Sequence, residues 1–187
     1  MSLPSAHTFG LIYLVAELAL TMTKRAGSRA VSKDRRSLRM LWIVILASVA
    51  VALVFQKVWP SAIMPHRAEF FVLGFALFVC GLGLRGWSVF HLGRYFTVDV
   101  SIAAGHRLID SGPYRRIRHP AYTGSLLALA GLGFCYGNFA SLLAVTIPVF
   151  LAFRRRIEIE EAALRAEFGD TYRAYMQRTR RLVPGVY

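Results

Sequence analysis

The chain has 187 residues, 56 % of them hydrophobic, a mean hydropathy of +0.47 and a formal net charge of +13. Its length suits one domain, and its apolar content exceeds the rough half typical of soluble domains, which argues for lipid as the solvent. Cys80 and Cys135 lie in apolar runs without metal-ligand spacing, so no metal site is expected.

Residues 7–23 form the first apolar run. Met1 to His7 lacks a basic leader and the run lacks an A-x-A-like end, so a retained helix is expected. Glu17 sits inside this run, and an intramembrane acid is a site candidate even where it simply faces protein. Residues 24–39 carry seven Lys and Arg against the single acid Asp34. The second span is 40–58, followed by a turn with two prolines and an interfacial Trp59. The third is 69–91, interrupted near its end by Arg85, which is expected to snorkel to the surface.

Within that third run, residues 81–86 read GLGLRG and formally match G-x-G-x-x-G. The match is rejected, because it lies inside an apolar helix with no βαβ unit around it. Close helix packing through small residues is expected instead. The fourth span, 120–136, ends at Gly137-Asn138, and the fifth, 139–156, holds Pro148, which is expected to kink it. Beyond Phe153 the helical pattern turns charged, so the helix should emerge into water as a tail, 157–187. Gly169 should end that helix, with a second short one holding Tyr172, Tyr175 and Met176.

The predicted fold class is all-α: one polytopic membrane domain over residues 1–187 with about five transmembrane helices. A short connection makes the fourth and fifth an antiparallel pair. The 24–39 loop, the 92–119 loop and the tail from Arg154 together hold 20 of the 23 Lys and Arg. All fall on one side of this topology, which the positive-inside bias makes cytoplasmic, with the N-terminus outside and the C-terminus inside. Topology and attraction to anionic lipid then account for the charge, and no nucleic-acid partner is needed. An arginine-rich composition points, by association, to a bacterial inner membrane.

The chemistry-bearing stretch is 105–124, GHRLIDSGPYRRIRHPAYTG. Gly112-Pro113 turns the chain, pre-proline His119 is biased away from helical angles, and Pro120 suits the first position of a helix. The helix pairing brings this loop to the emerging fifth helix, where Arg156 and Glu160 stand four residues apart on one face, as do Arg154 and Glu158. Singly, each of these is an ordinary surface ion pair, and Tyr114 and Tyr122 are ordinary interfacial aromatics. Together they predict a polar pocket at the cytoplasmic end of the bundle, with no ligand named.

The string G-P-Y-x-x-x-R-H-P-x-Y-x-G is carried here by Gly112, Pro113, Tyr114, Arg118, His119, Pro120, Tyr122 and Gly124. About forty residues later comes a second string: Glu160, Glu161, Leu164, Phe168, Gly169, Tyr172, Tyr175, Arg181 and Pro184. In combination these resemble the isoprenylcysteine carboxyl methyltransferase family over roughly residues 90–187. The resemblance implies an integral membrane enzyme that uses S-adenosyl-L-methionine without a Rossmann domain. It puts His106, Arg107, Leu108, Ile109, Tyr114, His119, Pro120, Ala121, Tyr122 and Glu160 on the cofactor. Arg156 falls where the family holds the substrate carboxylate, so Arg156 and Glu160 are the candidate catalytic pair. A further polar cofactor contact of the family finds no aligned position around Thr97–Ser101.

A carboxylate acceptor is already ionised at neutral pH, so the expected work is alignment and exclusion of water rather than proton abstraction. The expected acceptor is amphiphilic or prenylated and enters from the bilayer, most simply an isoprenylcysteine-type carboxylate. A lipid phenol or amine would need a base, from Glu160, Glu161 or His119. The other classes are an NADPH-dependent membrane reductase and a non-enzymatic lipid-binding or transport bundle. Against transport, the polar residues cluster at one face rather than at mid-membrane.

Overall fold

The computed structural model describes residues 6–25, 35–96 and 107–183. Its five helices are α1 (Ala6–Arg25), α2 (Arg35–Val58), α3 (Arg67–Leu92), α4 (Pro120–Cys135) and α5 (Phe139–Arg178). Among the described residues the only β pairings are two isolated bridges, Ile63 with Asn138 and Ile117 with Arg180. The all-helical expectation therefore holds. Among the described residues, only α2 and α3 are both long and apolar enough to cross a bilayer; α1 has an apolar core of Thr8–Leu20, and α4 is short. Those shorter runs fall below the ~20 residues of a standard span.

Helix α3 packs along α4, α2 along α5, and α4 also meets α5, while α1 touches α3 and α4. The core collects Phe9, Tyr13, Phe78, Leu129, Leu132, Val145, Val149 and Phe153. The tightest seam is α3 on α4, and glycine makes it possible. A methyl group on Gly81 would lie 2.4 Å from the Ala128 nitrogen, and one on Gly124 would lie 2.6 Å from the Arg85 nitrogen. Gly74 and Gly131 form a second such crossing, each within 2.7 Å of the other's carbonyl oxygen when given a Cβ. The small-residue reading of GLGLRG is thus right for Gly81, whereas Gly83 and Gly86 face open space. Along this seam the backbones approach as they do in small-xxx-small membrane contacts.

Two corrections follow from the packing. Arg85 does not snorkel: its side chain is 14 % exposed, pairs with Glu17 of α1 and donates through Nη1 to the Ala121 carbonyl at 3.2 Å. A partnered cation is cheaper to turn inward than to leave against lipid. In α5 the backbone keeps helical angles through Pro148, and the interruption lies at Gly169, with φ of 51°. The helix and turn boundaries otherwise follow the sequence. His119 is non-helical at φ −125°, ψ 56°, and Pro120 opens α4. Asn138 caps α5 by accepting from the Ser141 amide at 3.0 Å, and its side-chain amide donates to the Trp59 carbonyl at 2.9 Å, joining the two turns at that end of the bundle.

At the other end, the segment after α5 folds back on the loop before α4. The Arg118 and His119 amides donate to the Arg180 and Arg181 carbonyls at 2.7 and 3.0 Å, and the Arg180 amide returns to the Arg116 carbonyl at 3.1 Å. Thr123 Oγ1 adds a bond to the Leu182 carbonyl at 2.7 Å. Fully buried Glu161 locks this junction from within. Its carboxylate accepts from Arg118 Nε at 2.9 Å and from Arg181 Nε and Nη2 at 3.1 and 2.9 Å, and lies 3.4 Å from His119 Nε2. Arg118 Nη1 also donates to the Met176 and Thr179 carbonyls at 3.1 and 2.6 Å, so one guanidinium closes the C-terminus of α5. Burial alone would raise the Glu161 pKa. The hydrogen bonds from His119, Arg181 and Arg118 outweigh it and bring the group down from 4.5 to about 2.

Because the folded pKa is depressed, Glu161 contributes stability above pH 4.5 that is lost as pH falls toward about 2. Unfolding midpoints of the detergent-solubilised protein should fall through that interval, and Glu161→Gln should flatten this part of the profile. Glu161→Ala strands Arg118 and should cost about 3–5 kcal/mol. On the α3–α4 seam, Gly124→Ala should cost about 1–3 kcal/mol by overpacking, whereas Gly83→Ala, in open helix, should gain up to ~1 kcal/mol. Thermal unfolding of the two variants side by side checks the pair.

Candidate active site

The loop–tail junction brings the predicted residues together around Tyr122, two residues into α4. Its hydroxyl accepts from Arg156 Nε at 2.9 Å and donates to Glu160 Oε2 at 2.9 Å. Arg156 and Glu160, one turn apart on α5, are thus joined through a phenol on α4. Arg156 is 4 % exposed and its Nη1 donates to Ser37 Oγ on α2 at 3.2 Å. The expectation of a solvated ion pair fails for this couple and holds for Arg154–Glu158, which meet at 3.5 Å with both side chains more than half exposed.

The Tyr122 ring is sandwiched, with His119 stacked at 5.8 Å between centroids and Phe153 tilted at 4.8 Å. His119 is buried between two carboxylates, Nδ1 3.9 Å from Glu160 and Nε2 3.4 Å from Glu161. Adjacent carboxylates therefore have different environments. Successive residues on a helix point about 100° apart, which turns Glu161 into the clamp and leaves Glu160 at the rim with its side chain 34 % exposed.

Tyr114 sits in the 3₁₀ turn Gly112–Arg115, buried, with its hydroxyl donating to the Ser88 carbonyl of α3 at 3.3 Å and its carbonyl accepting from Tyr175 Oη at 2.6 Å. Burial and the neighbouring Glu160 carboxylate push its phenol above the ordinary range. Gly112 is required twice in this turn: its φ is +57°, and a Cβ there would meet the His91 ring at 2.6 Å. Pro120 and Ala121 are buried in the first turn of α4. Leu108 and Ile109 are half-buried and Arg107 is exposed. Asp110 pairs with Arg178 and ties this approach segment to the end of α5. His106 and Thr97–Ser101 lie outside the described residues.

Several participants escaped the sequence reading. Ser37 is one; Arg118 and Arg181 were visible as motif letters but not as partners of Glu161. Tyr13, Ser125 and Arg85 line a cavity with Glu17 and Tyr122. A signal existed for part of this set, since Tyr13 and Glu17 stand four apart on α1, on one face.

The model of the isoprenylcysteine carboxyl methyltransferase (ICMT) family matches residues 72–166. A probable protein-S-isoprenylcysteine O-methyltransferase of Oryza sativa subsp. indica is 28 % identical over 158 residues, which are 80 % of this chain and 83 % of that protein. The protein-S-isoprenylcysteine O-methyltransferase of Schizosaccharomyces pombe is 33 % identical over 110 residues, 57 % of this chain and 47 % of its own. A solved structure of the eukaryotic intramembrane Ras methyltransferase ICMT superposes with a TM-score of 0.68 at 23 % identity, over 94 % of this chain and 63 % of that one. The shared fold therefore reaches into residues 1–90, where the sequence showed only membrane helices. With its family model spanning more than half its length, the chain belongs to the isoprenylcysteine carboxyl methyltransferase family, whose members are integral membrane enzymes.

Proposed function

We propose that this protein is a membrane methyltransferase that uses S-adenosyl-L-methionine to esterify the carboxylate of an isoprenylcysteine-type acceptor. The observation that carries the reading is the Tyr122 hydroxyl joining Arg156 to Glu160 where loop and tail close. When bound, the cofactor supplies an electrophilic methyl group: an acceptor carboxylate oxygen bonds to it, the carbon–sulfur bond breaks, and its electron pair leaves sulfur as a neutral thioether.

The residues present fit such a group. Glu160 is a partly exposed carboxylate beside an aromatic pair, His119 and Tyr122, which suits an ammonium and a sulfonium on one ligand. Tyr114, Ala121 and Pro120 supply the buried wall behind it, and His106, Arg107, Leu108 and Ile109 complete the cofactor side on family grounds. Arg156 is the acceptor-holding residue. Its Nε and Nη1 rest on two neutral hydroxyls, Tyr122 and Ser37, and a carboxylate is the stronger partner for a guanidinium fork. Being ionised already, the acceptor needs no base, and this chain's contribution is to fix the carboxylate in line and keep water away. A lipid phenol or amine is the second reading, favoured by His119 lying within 4 Å of Glu160 and Glu161, where an imidazole can take up a proton.

Five crossings, with α1, α4 and the first half of α5 spanning in addition to α2 and α3, put the N-terminus outside and the site at the inner leaflet of a bacterial inner membrane. The basic 24–39 loop and tail then face anionic lipid. The acceptor's hydrophobic part enters sideways from the bilayer.

S-adenosylmethionine and S-adenosylhomocysteine should each stabilise the purified protein, by about 2.7 kcal/mol at a hundredfold their Kd, and NADPH should not. Silence toward both adenosyl compounds ends the reading. Arg156→Ala should lower kcat/KM for N-acetyl-S-farnesylcysteine by at least about a hundredfold, as expected for removing a charged hydrogen-bonding pair worth ~3 kcal/mol, while keeping the stabilisation by S-adenosylhomocysteine. Glu160→Gln should weaken that stabilisation. A phenolic or amine lipid methylated faster than the carboxylate would establish the second reading.

A further inference from the structure

Glu17 and Arg85 form an ion pair inside the bundle that the proposed reaction does not use. Glu17 is 3 % exposed. Such a pair is a poor source of stability, because desolvation of the two charges offsets most of their attraction. Attachment of α1 does not depend on it either. Phe9, about two turns earlier on α1, packs edge-on against Phe71, Phe75 and Phe78 of α3, at 5.8, 5.9 and 5.5 Å between ring centroids. Tyr13, between Phe9 and Glu17, is buried as well. An apolar pair at positions 17 and 85 would continue that contact at lower cost, so the charges call for a role other than fastening.

The surroundings of Arg85 supply one. Its backbone is pressed against α4, where a Cβ on Gly124 would come within 2.6 Å of the Arg85 nitrogen. From that base the guanidinium reaches two ways: Nη2 donates to Glu17, and Nη1 donates to the Ala121 carbonyl at 3.2 Å. The guanidinium is a rigid planar fork, so holding one arm aims the other. The next amide along the chain, that of Tyr122, donates to the His119 carbonyl at 3.0 Å. The Ala121 carbonyl and the Tyr122 amide belong to one planar peptide unit. Both ends of the unit that leads into Tyr122 are therefore held, one by Arg85 and one by His119. The hydroxyl of Tyr122 in turn meets Arg156 and Glu160, at 2.9 Å each.

We propose that Glu17 and Arg85 are positioning residues of the site: the carboxylate aims one arm of the guanidinium at the Ala121 carbonyl, and that bond sets where the Tyr122 hydroxyl stands between Arg156 and Glu160. Its effect on turnover rests on the methyltransferase reading, but the placement of Tyr122 is tested without any reaction. The full chain in detergent carries fluorotyrosine in place of Tyr122 or, in a second sample, in place of Tyr136, and fluorine NMR reads each site. Tyr136 is buried beside α1, since a Cβ on Gly10 would lie 3.6 Å from its hydroxyl, so its signal reports docking of that helix. Glu17→Met with Arg85→Met exchanges the pair for apolar side chains, a change often neutral for stability. It should shift or split the Tyr122 signal and leave the Tyr136 signal in place. Arg85→Lys keeps a charge opposite Glu17 but gives up the planar fork. It should move the Tyr122 signal likewise, and it decides the question even where the double variant does not fold. An unmoved Tyr122 signal overturns the proposal. So does movement of both signals, which would make the pair a fastening for α1.

Turnover of N-acetyl-S-farnesylcysteine separates the two roles again. Either variant should lower kcat/KM about tenfold or more, as expected of a reacting group displaced by a fraction of an ångström. In a Tyr122→Phe background the same change should cost less than about twofold, because the hydroxyl it positions is gone. An undiminished loss there overturns the proposal. Movement of the Tyr122 signal alone, in a protein that methylates no carboxylate, supports the positioning and sinks the proposed reaction. Methylation with an unmoved Tyr122 signal does the reverse.

Discussion

A single buried carboxylate governs how the parts of this molecule that can do chemistry find one another. Glu161 is fully buried, and Arg118, Arg181 and His119 converge on it from the loop before α4 and the segment after α5. Taking that much charge out of water is costly, and only a complete set of partners offsets it. Here the partners also saturate the backbone, because Arg118 closes α5 while the Arg118, His119 and Arg180 amides pair across the junction. An incomplete closure would leave buried ions unpaired. Intermediate positions of the tail are therefore expensive, and the loop has one stable seat.

That seat fixes the first turn of α4 from several directions. His119 is held by the Arg181 carbonyl, Thr123 by Leu182, and the Ala121 carbonyl accepts from Arg85, which Glu17 anchors from α1. Tyr122 lies among these tethers, flanked by His119 and Phe153. Its orientation is consequently a property of α1, α3, α5 and the tail together. A phenol held this firmly can keep a guanidinium and a carboxylate in fixed relation without letting them collapse into a direct ion pair.

Much of the architecture was legible in the sequence because local chemistry dictates it. Gly112-Pro113, His119-Pro120 and Gly137-Asn138 set their own turns, and Gly169 interrupts α5 through a positive φ. The meeting of loop and tail was legible too, since a short α4–α5 connection leaves little choice. What escaped was partner choice across long chain separations. Arg85 looked like a residue bound for the interface until Glu17, 68 positions earlier, proved to be within reach. Neither residue announces the other, as charge in an apolar run signals only that some partner exists. The roles of Glu160 and Glu161 were equally opaque: they are neighbours in sequence, and only the rotation of α5 against α4 decides which is buried. Gly83 and Gly86 matched the same pattern as Gly81, and only the line of contact with α4 separates the glycine that matters from those that do not.

The division between the two glutamates has a chemical consequence. Glu161, with two arginines and a histidine, has its charge spent on structure. Glu160 receives a tyrosine hydroxyl and stands near an imidazole, neither of which neutralises a carboxylate as a guanidinium does. Glu160 thus lies at the rim, while Arg156 donates to the Tyr122 and Ser37 hydroxyls below it. On the proposed reading, a cationic donor would meet Glu160 and an anionic acceptor would meet Arg156. The two would then meet at Tyr122, whose hydroxyl touches both side chains.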